Sequence, residues 1–145
     1  MNKLFMQMTI EDAKVVEKDI PVSAVIVKNN EILCVCHNKK EELQNATYHA
    51  EILAIQEASQ KLNSWRLDDC DMYVTLEPCP MCAGAIIQAR IKNLYFGSYD
   101  NLYGALGSKI DLRNLFNSSL NVKGGIMEEE CNTLLNEYFE RKENE

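Results

Sequence analysis

The stretch Asp71-Met72-Tyr73-Val74-Thr75-Leu76-Glu77-Pro78-Cys79-Pro80-Met81-Cys82-Ala83-Gly84-Ala85-Ile86-Ile87 decides the fold class. Its first half, Asp71 to Leu76, is short, apolar and β-prone, which predicts a strand. Two prolines then bracket Cys79. Pro80 has no amide hydrogen to give a ladder, but it suits the first turn of a helix. A helix is therefore expected from Pro80 to Arg90. A strand that runs straight into a helix is the building unit of α/β folds.

Working outward, the same alternation continues. Upstream, Met6, Ile10, Ala13 and Val16 or Glu17 recur at helical spacing, and Pro21 ends that segment. Residues 22–27 read as a buried strand, Asn29-Asn30 as a turn, and residues 31–36 as a returning strand. A polar loop is expected from His37 to Thr47. A helix follows from His49 to Leu62, with Ile52, Ile55, Ala58 and Leu62 on one face. Downstream come a short strand at residues 94–96, a loop over residues 99–107 and a last strand at residues 120–122. The closing helix begins with Glu128-Glu129-Glu130 and ends with Arg141-Lys142, which suits its dipole at both ends. No repeat, linker or low-complexity tract interrupts this order. The expectation is one α/β domain over residues 1–145, with some parallel strands and helices on both faces of the sheet.

Composition narrows the functional classes. Hydrophobic residues make up 46% and charged residues 26%, as in ordinary globular proteins. No apolar run approaches the roughly 20 residues of a membrane span, and Thr9, Glu11 and Asp12 interrupt any signal-like stretch. A cytoplasmic protein without a membrane partner is expected. Lys and Arg number 15 against 22 Asp and Glu, for a net charge of −7. That balance argues against a generic nucleic-acid binder, so any such partner must meet a local basic surface. The 6 cysteines are expected to be thiols. Cys34, Cys36, Cys70 and Cys131 read as small buried hydrophobes.

Cys79 and Cys82 differ from these. Cysteines three apart at a helix start share a face, and the helix dipole there favours thiolates, the form that binds metal. His49 at the start of the other helix supplies an imidazole. Three protein ligands leave a fourth tetrahedral position for water, the arrangement of a catalytic zinc. Glu51 lies two residues beyond His49, and on a regular helix such positions diverge by about 200°. The two converge on one pocket only if His49 sits at the unwound helix edge. Glu51 is then free to move protons instead of binding metal. Half of a zinc ribbon, a redox Cys-x-x-Cys, or a structural zinc completed by Cys34, Cys36 or Cys70 are the competing readings.

The combination H-x-E…P-C-x-x-C is the signature of zinc-dependent nucleobase deaminases. The run Val74 to Ala85 resembles the core of the TadA-type tRNA adenosine deaminases. So do Ser64-Trp65-Arg66-Leu67, Phe96-Gly97-Ser98-Tyr99-Asp100, Gly104-Ala105-Leu106-Gly107-Ser108 and Gly125 to Cys131. The resemblance spans nearly the whole chain. It implies the cytidine-deaminase-like fold, a three-layer α/β/α sandwich with a five-stranded mixed sheet, as a homodimer. It also implies one zinc per chain on His49, Cys79 and Cys82, with Glu51 as the catalytic proton shuttle. Asn38, Ala50 and Asp100 are the implied substrate contacts. The implied reaction is hydrolytic: the wobble adenosine of a tRNA anticodon loop becomes inosine by attack of zinc-activated hydroxide at C6. Against the usual family pattern, Ser23 replaces a glycine, Asn45-Ala46-Thr47-Tyr48 replaces Asp-Pro-Thr-Ala, Leu102 falls where a lysine is common, and Ser118 replaces a histidine.

Two other functions fit the same residues. A deaminase of a free base or nucleoside, such as guanine or cytosine, would suit the acidic balance. A non-catalytic partner subunit would be expected to lack the acid–base glutamate, and Glu51 is present. If tRNA is the substrate, Lys39, Lys40, Arg90, Lys92, Lys109 and Arg113 are the cations expected to form a phosphate-contacting rim.

Overall fold

The computed structural model describes residues 1–145. In chain order the elements are α1 (Lys3–Ala13), β1 (Ser23–Lys28), β2 (Glu31–His37), α2 (Ala50–Leu62) and β3 (Cys70–Leu76). Then follow α3 (Pro80–Gln88), β4 (Asn93–Ser98), α4 (Leu112–Phe116), β5 (Asn121–Lys123) and α5 (Glu128–Glu143). The strands form one sheet in the order β2-β1-β3-β4-β5. β1 runs antiparallel to both β2 and β3, whereas β3, β4 and β5 are mutually parallel. This is the mixed five-stranded sheet of the expected fold.

Alternation along the strands divides the core into two layers. Ala24, Ile26, Met72, Val74, Leu94 and Phe96 pack against Ala50, Ala54 and Ala58 of α2 and Ala83, Ile86 and Ile87 of α3. Val25, Val27 and Tyr73 point the other way, to Phe5, Met6 and Ile10 of α1 and Cys131 of α5. Helices thus cover both faces. The alanines of α2 let that helix approach the sheet closely, which fixes where its N-terminus falls.

The elements differ from the sequence reading at several points. α1 starts at Lys3 rather than Met6, because the Asn2 side chain accepts the Leu4 N–H at 2.9 Å and caps it. α3 ends at Gln88, and Arg90 beyond it takes a positive φ of 69°. α4 has no counterpart in the sequence reading. It has five residues, none of them buried, so it carries no apolar period to read. Of the isolated cysteines, Cys34, Cys70 and Cys131 are buried as expected, but Cys36 is only half-buried.

Candidate active site

The polypeptide brings His49, Cys79 and Cys82 together at one end of the sheet. Cys79 is the residue just before α3, at the mouth of the β3–α3 connection. His49 occupies the same position before α2, with extended dihedrals of φ −79° and ψ 152°. His49 is therefore outside the helix, the condition under which it and Glu51 converge. Its Nδ1 lies 3.6 Å from Cys79 Sγ and 3.5 Å from Cys82 Sγ. Tetrahedral zinc, with bonds of roughly 2.3 Å to sulfur and 2.0 Å to nitrogen, sets S···N separations of about 3.5 Å. Both His49-to-cysteine separations thus match a zinc ion as they stand, and all three ligand atoms lie within 4.8 Å of one another. Cys34, Cys36 and Cys70 do not complete this group.

The thiols behave as a pair. The bond from Cys82, and the one with His49, hold the Cys79 thiol down to about 4. Cys82 is raised by the same partnership and by burial. Cys79 as thiolate in turn raises the His49 imidazole. Glu51 is 4% exposed, at the first turn of α2 beside Cys82. Burial pushes its carboxyl up to about 7, where it can both take and give a proton near neutrality.

Above these residues opens a cleft of ≈ 590 Å³ whose wall includes Asn38, His49, Glu51, Cys79, Asp100 and Tyr103. Asn38 Oδ1 accepts the Ala50 N–H at 2.8 Å, and its Nδ2 donates to the Ile20 carbonyl at 3.0 Å. One amide hydrogen and one lone pair stay free for a ligand. Ala50 is a different matter. It is fully buried, its N–H is taken by Asn38, and it does not line the cleft, so its part is to hold Asn38 in place. Asp100 Oδ1 accepts the N–H groups of Leu102 and Tyr103, both at 3.0 Å, and pins the loop tip.

Sequence reasoning missed Glu77. This carboxylate is 2% exposed and accepts the N–H of Asp100, Leu106 and Ser108, each at 3.1 Å, together with the Ser108 hydroxyl. It ties the loop after β4 to the strand that delivers the cysteines. A Cβ at Gly104 would lie 2.3 Å from the Asp100 carbonyl and 2.5 Å from the Glu77 carboxyl carbon, so the loop closes only over glycine. The available signal is a charged residue wedged between an apolar strand and Pro78. Ser23, where the family usually has glycine, is explained too. Its hydroxyl lies 2.7 Å from Asp12 Oδ2 and 2.9 Å from the Cys36 carbonyl, joining α1 to β2.

The expected basic rim is only partly there. Lys40 lines the cleft, joined by Lys18 and Lys142, which sequence reading did not select; Lys39 and Lys109 do not. Arg90 and Lys92 lie with Arg66 in another cleft, at the opposite end of α3. Arg113 is paired with Asp111 at 2.6 Å.

Comparison with known proteins places this geometry. Residues 1–134 match the family model of the MafB19-like deaminases. A tRNA-specific adenosine deaminase of Bacillus subtilis (strain 168) is 41% identical over 142 residues, covering 95% of this chain and 88% of its own. The chain belongs to the tRNA-specific adenosine deaminase family. A solved structure from studies of A-to-I editing by tRNA:A34 deaminases superposes on it with a TM-score of 0.85. The two are 35% identical, over 92% of this chain and 100% of the other. A guanine deaminase of Bacillus subtilis is 38% identical but covers 68% of this chain and 66% of its own, with a TM-score of 0.65. Within the deaminase family, this chain is an enzyme with the cytidine-deaminase-like fold.

Proposed function

We propose that the protein is a zinc-dependent tRNA adenosine deaminase, converting the wobble adenosine of an anticodon loop to inosine. One observation carries the reading: the His49, Cys79 and Cys82 group lies beside the buried Glu51 on the wall of a cleft open to solvent. The substrate class rests on relatives named for tRNA that match nearly the whole chain.

His49, Cys79 and Cys82 would hold the zinc, which supplies a Lewis acid that makes water a nucleophile near neutral pH. Glu51 takes one proton from the attacking water and gives it to N1 of the base, then carries the second proton of that water from the new C6 hydroxyl to the departing amine. Water oxygen becomes the C6 carbonyl oxygen, and the amino nitrogen leaves as ammonia. Asn38 and the unused oxygen of Asp100 orient the base edge. Tyr103, 67% exposed at the cleft mouth, offers a face on which a neighbouring base stacks. An extruded, single-stranded adenosine is the form such a cleft accepts.

The test is incubation with tRNA carrying adenosine at the wobble position, with free guanine, cytosine and adenine in parallel. Inosine in the tRNA is the expected product. Turnover of a free base with tRNA left unmodified would establish the small-molecule reading instead.

Cation placement gives a second check. Lys40→Glu together with Lys142→Glu should raise KM for tRNA several-fold, with zinc content intact. It should also flatten the salt dependence, by about 0.7 in slope for each phosphate no longer neutralised. Lys39→Glu with Lys109→Glu, outside the cleft wall, should do less. Equal effects from the two pairs would remove the cleft rim from the binding surface.

A cytoplasmic homodimer completes the reading. No helix is long and apolar enough to cross a membrane. Leu102, Leu115 and Phe116 are exposed apolar side chains of the kind an interface covers. Sedimentation at micromolar concentration should give twice the chain mass; a clean monomer would reject the dimer.

A further inference from the structure

A second group of metal-type ligands lies outside the active site. Cys34 and Cys36 are two apart on β2, so their side chains share one face of the strand. That face is turned to α2, where the Cys34 thiol donates to the Ala54 carbonyl at 3.3 Å. Glu57, one helical turn further on, reaches the same point. The two Sγ atoms and a carboxylate oxygen of Glu57 all lie within 4.8 Å of one another. Tetrahedral zinc with two thiolates sets an S···S separation of roughly 3.8 Å, inside the 4.8 Å span of this group.

Packing accounts for Cys34, as it does for Cys70 and Cys131, which belong to no such group. Cys36 also rests against the core, but it is half-buried and set beside a carboxylate, an arrangement that packing alone does not require. β2 is an edge strand, so the group has a path to solvent. Lys61 stands next to it, 3.8 Å from Glu57 and donating to the Leu33 carbonyl. The charges then balance: two thiolates and a carboxylate against a divalent cation and the Lys61 ammonium.

We propose that Cys34, Cys36 and Glu57 form a second binding site, separate from the catalytic centre, for a thiophilic divalent cation of the zinc–cadmium type. Each thiol gives its proton to water as its bond to the metal forms, so binding weakens as pH falls. The Ala54 carbonyl or a water completes the coordination. A filled site ties the edge strand to the helix whose first turn carries Glu51.

The probe is Cd²⁺, added to zinc-loaded full-length protein at neutral pH. The expected result is a second metal equivalent per chain, with thiolate-to-cadmium absorption, while zinc content and deaminase turnover stay unchanged. Cys36→Ser should abolish that second equivalent. Glu57→Gln, at a half-buried surface position where folding is not at risk, should weaken it about tenfold or more. Cadmium that enters only as zinc leaves would overturn the proposal. So would a second equivalent that survives in both variants at the affinity of the parent protein.

Discussion

Glu51→Gln should retain its zinc and lose nearly all turnover. Glutamine fills the same buried space and keeps a carbonyl oxygen, so neither the first turn of α2 nor the three ligands need move. The variant lacks only the group that carries the proton. General acid–base residues contribute about 10²–10⁴-fold, and one used for both water activation and amine departure belongs at the upper end. Single-turnover rates with tRNA, alongside metal content by atomic absorption, separate the two effects. A drop smaller than about tenfold would mean that another group moves the proton.

Cys82→Ser should do the converse and remove the metal. Cys82 is fully buried in the first turn of α3, where serine fits without a cavity but offers a hard oxygen in place of a soft thiolate. Metal retained after exhaustive dialysis should fall from about one zinc per chain to a small fraction, since three protein ligands make one site. Activity should fall with it and return only partly at high added zinc. Cys79→Ser should behave alike. Full zinc and full activity in both variants would place the catalytic centre elsewhere.

Much of this geometry is legible in the sequence because the ligand residues sit at element boundaries. Pro80 marks the start of α3, and its two cysteines are three apart, so their convergence needs no knowledge of tertiary structure. His49 is a stronger test. The requirement that it lie outside the helix comes from the angular step between His49 and Glu51, and the extended dihedrals of His49 meet it. The alternating strands likewise define both faces of the sheet.

The residues that are not legible share a physical cause. Lys18 and Lys142 come from chain segments far from the motifs, and Glu77, though beside Cys79, finds its partners only in the later loop at Leu106 and Ser108. No local period or motif joins them. Closeness in sequence to the motifs finds Lys40 but adds five cations that do not line the cleft. Arg90 instead lies past the far end of α3, a nine-residue helix about 13 Å long at 1.5 Å rise per residue. The resemblance implies Ala50 as a substrate contact, and both its neighbours do face the cleft. One step along a helix turns a side chain by about 100°, and that step sends Ala50 into the core.

The bonds that Glu77 and Asp100 make have a consequence for how this enzyme can diverge. Apart from the Ser108 hydroxyl, both carboxylates grip backbone amides, at Asp100, Leu102, Tyr103, Leu106 and Ser108. A peptide N–H is the same whatever side chain it carries. The frame of the loop is therefore indifferent to the residues at its tip, as long as Gly104 leaves room for closure. Asn101, Leu102 and Tyr103 form a cassette that mutation can rewrite without dismantling the metal centre. This chain departs from the usual family pattern at Leu102, inside that cassette. Relatives with different appetites can thus arise by exchanging three side chains on a common chassis.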